Sequence, residues 1–106
     1  MATDFETIKQ SAIKYANQAR ETMPIERAIL FGSHAKGSAT NLSDVDICFF
    51  VKSYGRKGQR KMLKQLISLT GDYKGIYFEP ILFEISDLYT DNPFIKEILK
   101  SAHDLL

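Results

Sequence analysis

Near the start of the chain, apolar residues recur at Ile8, Ala12, Tyr15, Ala16 and Ala19. That spacing puts them on one face of a helix, predicted from about Asp4 to Glu21. Thr3 followed by Glu6 has the form of a capping box, and Pro24 closes the region. The pattern then shifts. Ile25 to Phe31 (IERAILF) is short, apolar and rich in strand-forming residues, and it ends at Gly32-Ser33. Residues 34–43 are small and polar, which suits a short helix or turn and then a loop.

A second apolar run, Val45 to Val51 (VDICFFV), reads as a strand, and Ser53, Gly55 and Gly58 mark the loop after it. Met62, Leu63, Leu66 and Ile67 form the buried stripe of a helix from about Gln59 to Leu69. Gly71 and Gly75 bracket a turn before a third strand, Ile76 to Phe83 (IYFEPILF). Ser86 to Tyr89 fits a single helical turn. Asn92 before Pro93 is a helix start with proline at the first helical position. Ile95, Ile98, Leu99 and Ala102 supply the apolar face of that last helix. The order α-β-α-β-α-β-α predicts an α/β fold, a small mixed sheet flanked by helices.

A length of 106 residues holds one core, so residues 1–106 are expected to form a single domain. The 25% charged and 44% hydrophobic residues exclude a disordered chain. A net charge of +1 gives no ground for an anionic partner, so direct nucleic-acid binding is not expected. Cys48 is the only cysteine, which rules out an internal disulfide and fits a reducing interior. The N-terminus has early acids and no signal-like apolar run, and no stretch is long enough to cross a bilayer. A cytoplasmic protein without membrane contact is the expectation.

Candidate chemistry lies in Gly32-Ser33-His34-Ala35-Lys36-Gly37 followed by Ser43-Asp44-Val45-Asp46. A glycine at the end of a strand permits a tight turn and close approach of a phosphate. The helix start after it aims backbone N–H groups at the same spot. Ser33 adds a hydroxyl and Lys36 a positive charge. Asp44 and Asp46 are two apart at the head of a strand, so both side chains leave the same face. Their Cα atoms are then roughly 6.5 Å apart, a span that lets two carboxylates share one or two hard cations. Magnesium suits such oxygen ligands and completes its shell with phosphate oxygens and water. Singly, a Gly-Ser pair is an ordinary turn and an Asp-x-Asp an ordinary strand end. Few structural needs place both at adjacent strand ends across a short polar segment.

These residues resemble the signature of the DNA-polymerase-beta-like nucleotidyltransferase superfamily, in particular its minimal (MNT) domains, found as antitoxins beside HEPN-domain toxins. The resemblance extends to the order of elements. It implies that Gly32 and Ser33 bind the triphosphate of ATP or another NTP. It also implies that Asp44 and Asp46 bind Mg2+, in a two-ion site that Mn2+ can also occupy. Lys36 stands where arginine is common; it keeps the charge for phosphate but loses the planar fork. The implied activity is transfer of a nucleoside monophosphate, AMP from ATP, to a hydroxyl of an acceptor. With no second domain to hold that acceptor, a HEPN-type protein partner is the simplest candidate. The alternatives are an inactive module that neutralises its partner by contact, and a subunit of an aminoglycoside-type transferase with an acidic cleft lined by Asp72, Asp87 or Asp91. Self-association is left open.

The family places a third acid on a later strand, and Glu79 and Glu84 are the candidates. They have opposite parity, so only one can share a face with the aspartates. Glu79 is preferred, as third metal ligand and as general base. It sits among apolar residues, where an ionised carboxylate would be costly without a cation. Pro80 beside it also fits an edge strand with Glu79 simply facing water. Lys52, Arg56, Lys57, Arg60, Lys61 and Lys64 follow one another without an intervening acid and read first as a solvated helix face, with electrostatic guidance of NTP, RNA or an acidic partner surface as the functional alternative. His34 reads as an exposed loop side chain and Cys48 as a small buried thiol. Tyr54, Tyr73, Tyr77 and Tyr89 are assigned no role.

Overall fold

The computed structural model describes residues 4–39 and 44–106. The first helix, α1, spans Phe5–Arg20, and Asp4 caps it by accepting the Thr7 N–H at 2.8 Å. Thr3, half of the expected capping box, lies outside the described residues. Strand β1 (Ile25–Phe31) leads through Gly32 into a single helical turn, α2 (Ser33–Lys36). Strand β2 (Val45–Val51) follows, then α3 (Gly58–Leu69) and a 3-10 turn at Thr70–Asp72. Strand β3 covers Phe78–Glu84, starting two residues later than the pattern predicts and ending one later. A 3-10 turn at Ile85–Tyr89, helix α4 (Pro93–Leu99) and a two-residue strand β4 (His103–Asp104) complete the chain.

The sheet has the order β3-β2-β1-β4. Strand β1 runs antiparallel to β2 and β4, whereas β2 and β3 run parallel with α3 as their crossover. It is therefore the expected mixed sheet, with one short strand added. Pro80 lies on β3, an edge strand, where its missing N–H costs no ladder bond.

Alternation along the strands divides the core in two. Helices α1 and α3 cover one face, where Ala28, Leu30, Ile47, Phe49 and Leu82 meet Tyr15, Ala16 and Leu66. The Tyr15 hydroxyl, carried into this core, donates to the Leu66 carbonyl at 2.6 Å, so the buried O–H does not go unpaired. Tyr15 also packs edge-on to Phe49. The other face is smaller. Ile29, Cys48 and Phe50 meet Ile95 and Ile98 of α4. Asp46 shares parity with Cys48 and Phe50, so it belongs to this second face, at the end of the strand.

The last helix is shorter than predicted. It ends at Leu99, and Ala102 packs from beyond it. The chain must extend there because the Leu105 N–H donates to the Ala28 carbonyl at 2.9 Å and β4 pairs with β1.

Burial pushes the Cys48 thiol up to about 12. Folding therefore holds it as an unreactive thiol, since the thiolate is the nucleophile. At about pH 8, native protein is expected to resist alkylation by iodoacetamide and to react fully in denaturant. Rapid labelling of the native protein, followed by mass spectrometry, would contradict this placement of Cys48.

Candidate functional site

The strand register gathers the predicted residues around one carboxylate. Asp46 is the pairing partner of Phe31 on β1 and of Glu79 on β3. It thus lies between the residue preceding Gly32 and the preferred third acid. Asp44 immediately precedes β2 and is exposed. The Val45 N–H donates to the Tyr77 carbonyl at 2.8 Å, which fastens the head of β2 to the head of β3.

Gly32 is required here for two independent reasons. Its backbone, at φ 78° and ψ −155°, lies in a region essentially restricted to glycine. A Cβ at this position would also overlap Asp46 Oδ2 and stand 3.1 Å from Asp46 Cγ. The Asp46 carboxylate therefore rests against bare backbone. Ser33 opens α2, and Gly37 closes it in the left-handed conformation, donating to the His34 and Ser33 carbonyls. The Lys36 N–H donates to Gly32 O at 3.1 Å and Ser38 N–H to Ser33 O at 3.0 Å. The result is a compact loop bracketed by two glycines, with Ser33 half-buried beside Asp46 and the Lys36 side chain exposed.

Electrostatics agree with the geometry. Partial burial, followed by the charges of Glu79 and Asp44, raises the Asp46 pKa above the usual aspartate value, and His34 acts in the opposite direction. The three carboxylates are thus close enough to repel one another through Asp46. His34 is half-buried in α2 rather than fully exposed on a loop, and its place inside the glycine-bracketed turn was the available signal for that coupling.

One expectation is corrected. Glu79 is exposed, so burial imposes no penalty on it; Asp46 carries that cost instead. Glu84 is at the other end of β3, where its Oε2 accepts the Tyr54 N–H at 3.0 Å and its side chain caps the following 3-10 turn. The acids considered for a cationic acceptor are dispersed. Asp72 lines a groove with Lys14, Gln18 and Tyr73, Asp87 caps the 3-10 turn, and Asp91 pairs with Lys96.

Among the described residues, no three His, Cys, Asp or Glu side chains converge into a ready cluster for a metal ion. The donor chemistry nevertheless fits a hard divalent cation. Asp44, Asp46 and Glu79 offer only carboxylate oxygens, and their mutual repulsion at Asp46 is what a cation would relieve. Magnesium usually takes one or two carboxylates plus phosphate oxygens and water, so a cage built wholly from protein is not required.

Comparisons with known proteins follow the same lines. A proposed protein adenylyltransferase of Methanocaldococcus jannaschii is 40% identical over 76 residues, covering 67% of this chain and 51% of that protein. The chain therefore spans about half the length of that curated relative. The fold resembles a proposed nucleotidyltransferase from Sulfolobus solfataricus (TM-score 0.64, 17% identity), across 94% of this chain and 80% of that one. It also resembles one chain of a toxin–antitoxin structure solved with AMP-PNP (TM-score 0.55, 16% identity), across 92% and 72% respectively. At such identities the two structures bear on the fold alone. Residues 10–106 match the family described as "Polymerase beta, Nucleotidyltransferase". A match of that extent, on a chain whose strand register brings the glycine-serine turn against Asp46, places this protein in the polymerase-beta nucleotidyltransferase family.

Proposed function

We propose that the protein transfers a nucleoside monophosphate, AMP from ATP, to a hydroxyl of a partner protein of the HEPN-toxin type. The observation that carries this reading is the contact of the Asp46 carboxylate with bare Gly32, directly opposite Glu79 in the β2–β3 register. It sets a phosphate-sized turn beside a charge that needs a cation. The name of the Methanocaldococcus relative supports adenylyl transfer, and the toxin–antitoxin neighbour is compatible with a protein partner.

In this reading Gly32 and Ser33 hold the β- and γ-phosphates through backbone N–H groups and the Ser33 hydroxyl, while Lys36 adds charge from the loop's end. Asp44, Asp46 and Glu79 hold Mg2+. When bound, Mg2+ neutralises charge on the triphosphate and favours in-line displacement. Glu79, on the open side, accepts the acceptor's proton. The acceptor oxygen forms a bond to the α-phosphorus as the bond from that phosphorus to the bridging oxygen breaks, and pyrophosphate leaves. A contact-only module is the second reading, favoured by the lack of a ready three-ligand cluster among the described residues.

Two measurements test this. The protein, its co-purifying partner, labelled ATP and Mg2+ should yield a partner heavier by one nucleotide in mass spectrometry. Asp46→Asn should reduce that product by at least about 100-fold, the scale of a lost transition-state group. Absence of product with every NTP, with the complex intact, would favour neutralisation by contact.

The same site should bear a stability cost. The Asp46 carboxyl has a higher pKa folded than unfolded, so the folded state holds its proton more tightly. Its ionisation therefore destabilises the fold as pH rises through the two values, and that cost is fully present at neutral pH. Asp46→Asn should raise the melting temperature of the metal-free protein near pH 7. Gly32→Ala should lower it, with strain on the order of 1–3 kcal/mol. A fall in melting temperature for Asp46→Asn, or an unchanged one for Gly32→Ala, would contradict the contact.

A further inference from the structure

The overall charge balance conceals a strong separation. Six of the fourteen Lys and Arg residues fall between Lys52 and Lys64, and no acid occurs from Ile47 to Gly71. The remainder of the molecule is therefore net acidic. Lys52, Arg56, Lys57, Arg60, Lys61 and Lys64 are all exposed. The positions 57, 60, 61 and 64 follow the i, i+3, i+4, i+7 spacing that lines one face of a helix. Met62 and Leu66 of the same helix are buried on the opposite side.

Elsewhere on the surface three cations are ion-paired, Arg27 with Asp104, Lys96 with Asp91 and Lys100 with Glu97, while the others are scattered singly along the chain rather than clustered. Among the described residues, none of the six forms an ion pair. Lys57 donates only to the neutral Gln65, at 2.8 Å. The acids that adjoin this face make no ion pair with it. Glu84 and Asp87 accept the backbone N–H groups of Tyr54 and Glu84. Glu21 and Glu26 flank Pro24, whose carbonyl accepts the Lys52 N–H.

We propose that this face, formed by the loop after β2 and the first two turns of α3, binds the sugar–phosphate backbone of a nucleic acid. Its composition decides between an anionic backbone and an acidic protein surface. Protein interfaces have an apolar core and are depleted in lysine. Four of the six residues here are lysine, and the one large apolar side chain exposed on this helix, Ile67, stands at the edge of the cluster, one turn beyond Lys64. Unpaired, flexible cations on one ridge instead suit phosphates, which they contact with displacement of counterions and without reading sequence. Lys52 opens the face at the far end of β2, six residues and so roughly 20 Å along the strand from Asp46, and α3 covers the side of the sheet opposite to the one that carries Asp46. The face is separate from the proposed triphosphate site, and the inference does not depend on transfer chemistry. The net charge of +1 argued against such a partner only because it averages the two ends of the molecule.

The test is fluorescence anisotropy with a labelled single-stranded RNA of mixed sequence and a DNA of the same sequence. Both should bind, with little preference. Four phosphate contacts on a single strand give a salt slope of about −2.8, on the order of 50-fold weaker binding between about 50 and 200 mM salt. Arg60→Glu/Lys61→Glu/Lys64→Glu should abolish binding while far-UV circular dichroism stays unchanged. Lys9→Glu/Lys14→Glu/Lys74→Glu, with the same change in net charge, should bind within a few-fold of wild type. Equal losses in the two variants, undiminished binding by the first, or affinity for polyglutamate without affinity for RNA or DNA would each overturn the proposal.

Discussion

The structure depends on one close approach: the Asp46 carboxylate against the unsubstituted backbone of Gly32. Two strands must meet in a single register for that contact to exist. Antiparallel pairing sets Phe31 opposite Asp46, and parallel pairing sets Glu79 on its other side. A shift of one residue in the β1–β2 pairing would turn Asp46 to the other face from Phe31, and one in the β2–β3 pairing would turn Glu79 away from Asp46. The apolar alternation that fills the two halves of the core therefore also fixes the geometry of the polar end. Ile47, Phe49 and Val51 bury on the α1–α3 face while Cys48 and Phe50 bury on the α4 face, and Asp46 follows the second set.

The fold accepts an electrostatic cost there. Repulsion from Asp44 and Glu79 adds to partial burial at Asp46. An optimally stable protein would not collect three carboxylates at the mouth of a sheet, so the arrangement calls for a cation or a substrate to complete it. The unpaired cations on α3 are a separate case, since they are fully solvated and destabilise the fold little.

Much of this was legible in the sequence because the signals were local. Period-2 and period-3.6 patterns located three strands and the longer helices, and Pro80 marked β3 as an edge. The glycine-serine turn and the paired aspartates pointed to the candidate site. The missing parts depend on distant contacts. Strand β4 has two residues, His103 and Asp104, too few to show alternation, and it exists because β1 offers an unpaired edge. That pairing also ends α4 at Leu99, although Ala102 continues its apolar spacing. Glu79 looked buried because its neighbours are apolar, yet an edge strand exposes it. That Glu79 pairs with Asp46 while Glu84 pairs with Val51 follows from the β2–β3 register, which no local pattern contains.

Gly32, Ser33, Asp44, Asp46 and Glu79 are proposed to surround one site for a cation and a nucleotide's phosphates. Paramagnetic broadening by Mn2+ with a non-hydrolysable ATP analogue measures this directly, on backbone amide resonances of the labelled protein. Gly32, Ser33, Asp46 and Glu79 should broaden first, while Gln18, Lys61 and Asp87 remain sharp. Broadening centred on Asp72, Glu84 or Asp87, with the Gly32 and Asp46 resonances unaffected, would contradict the proposed site.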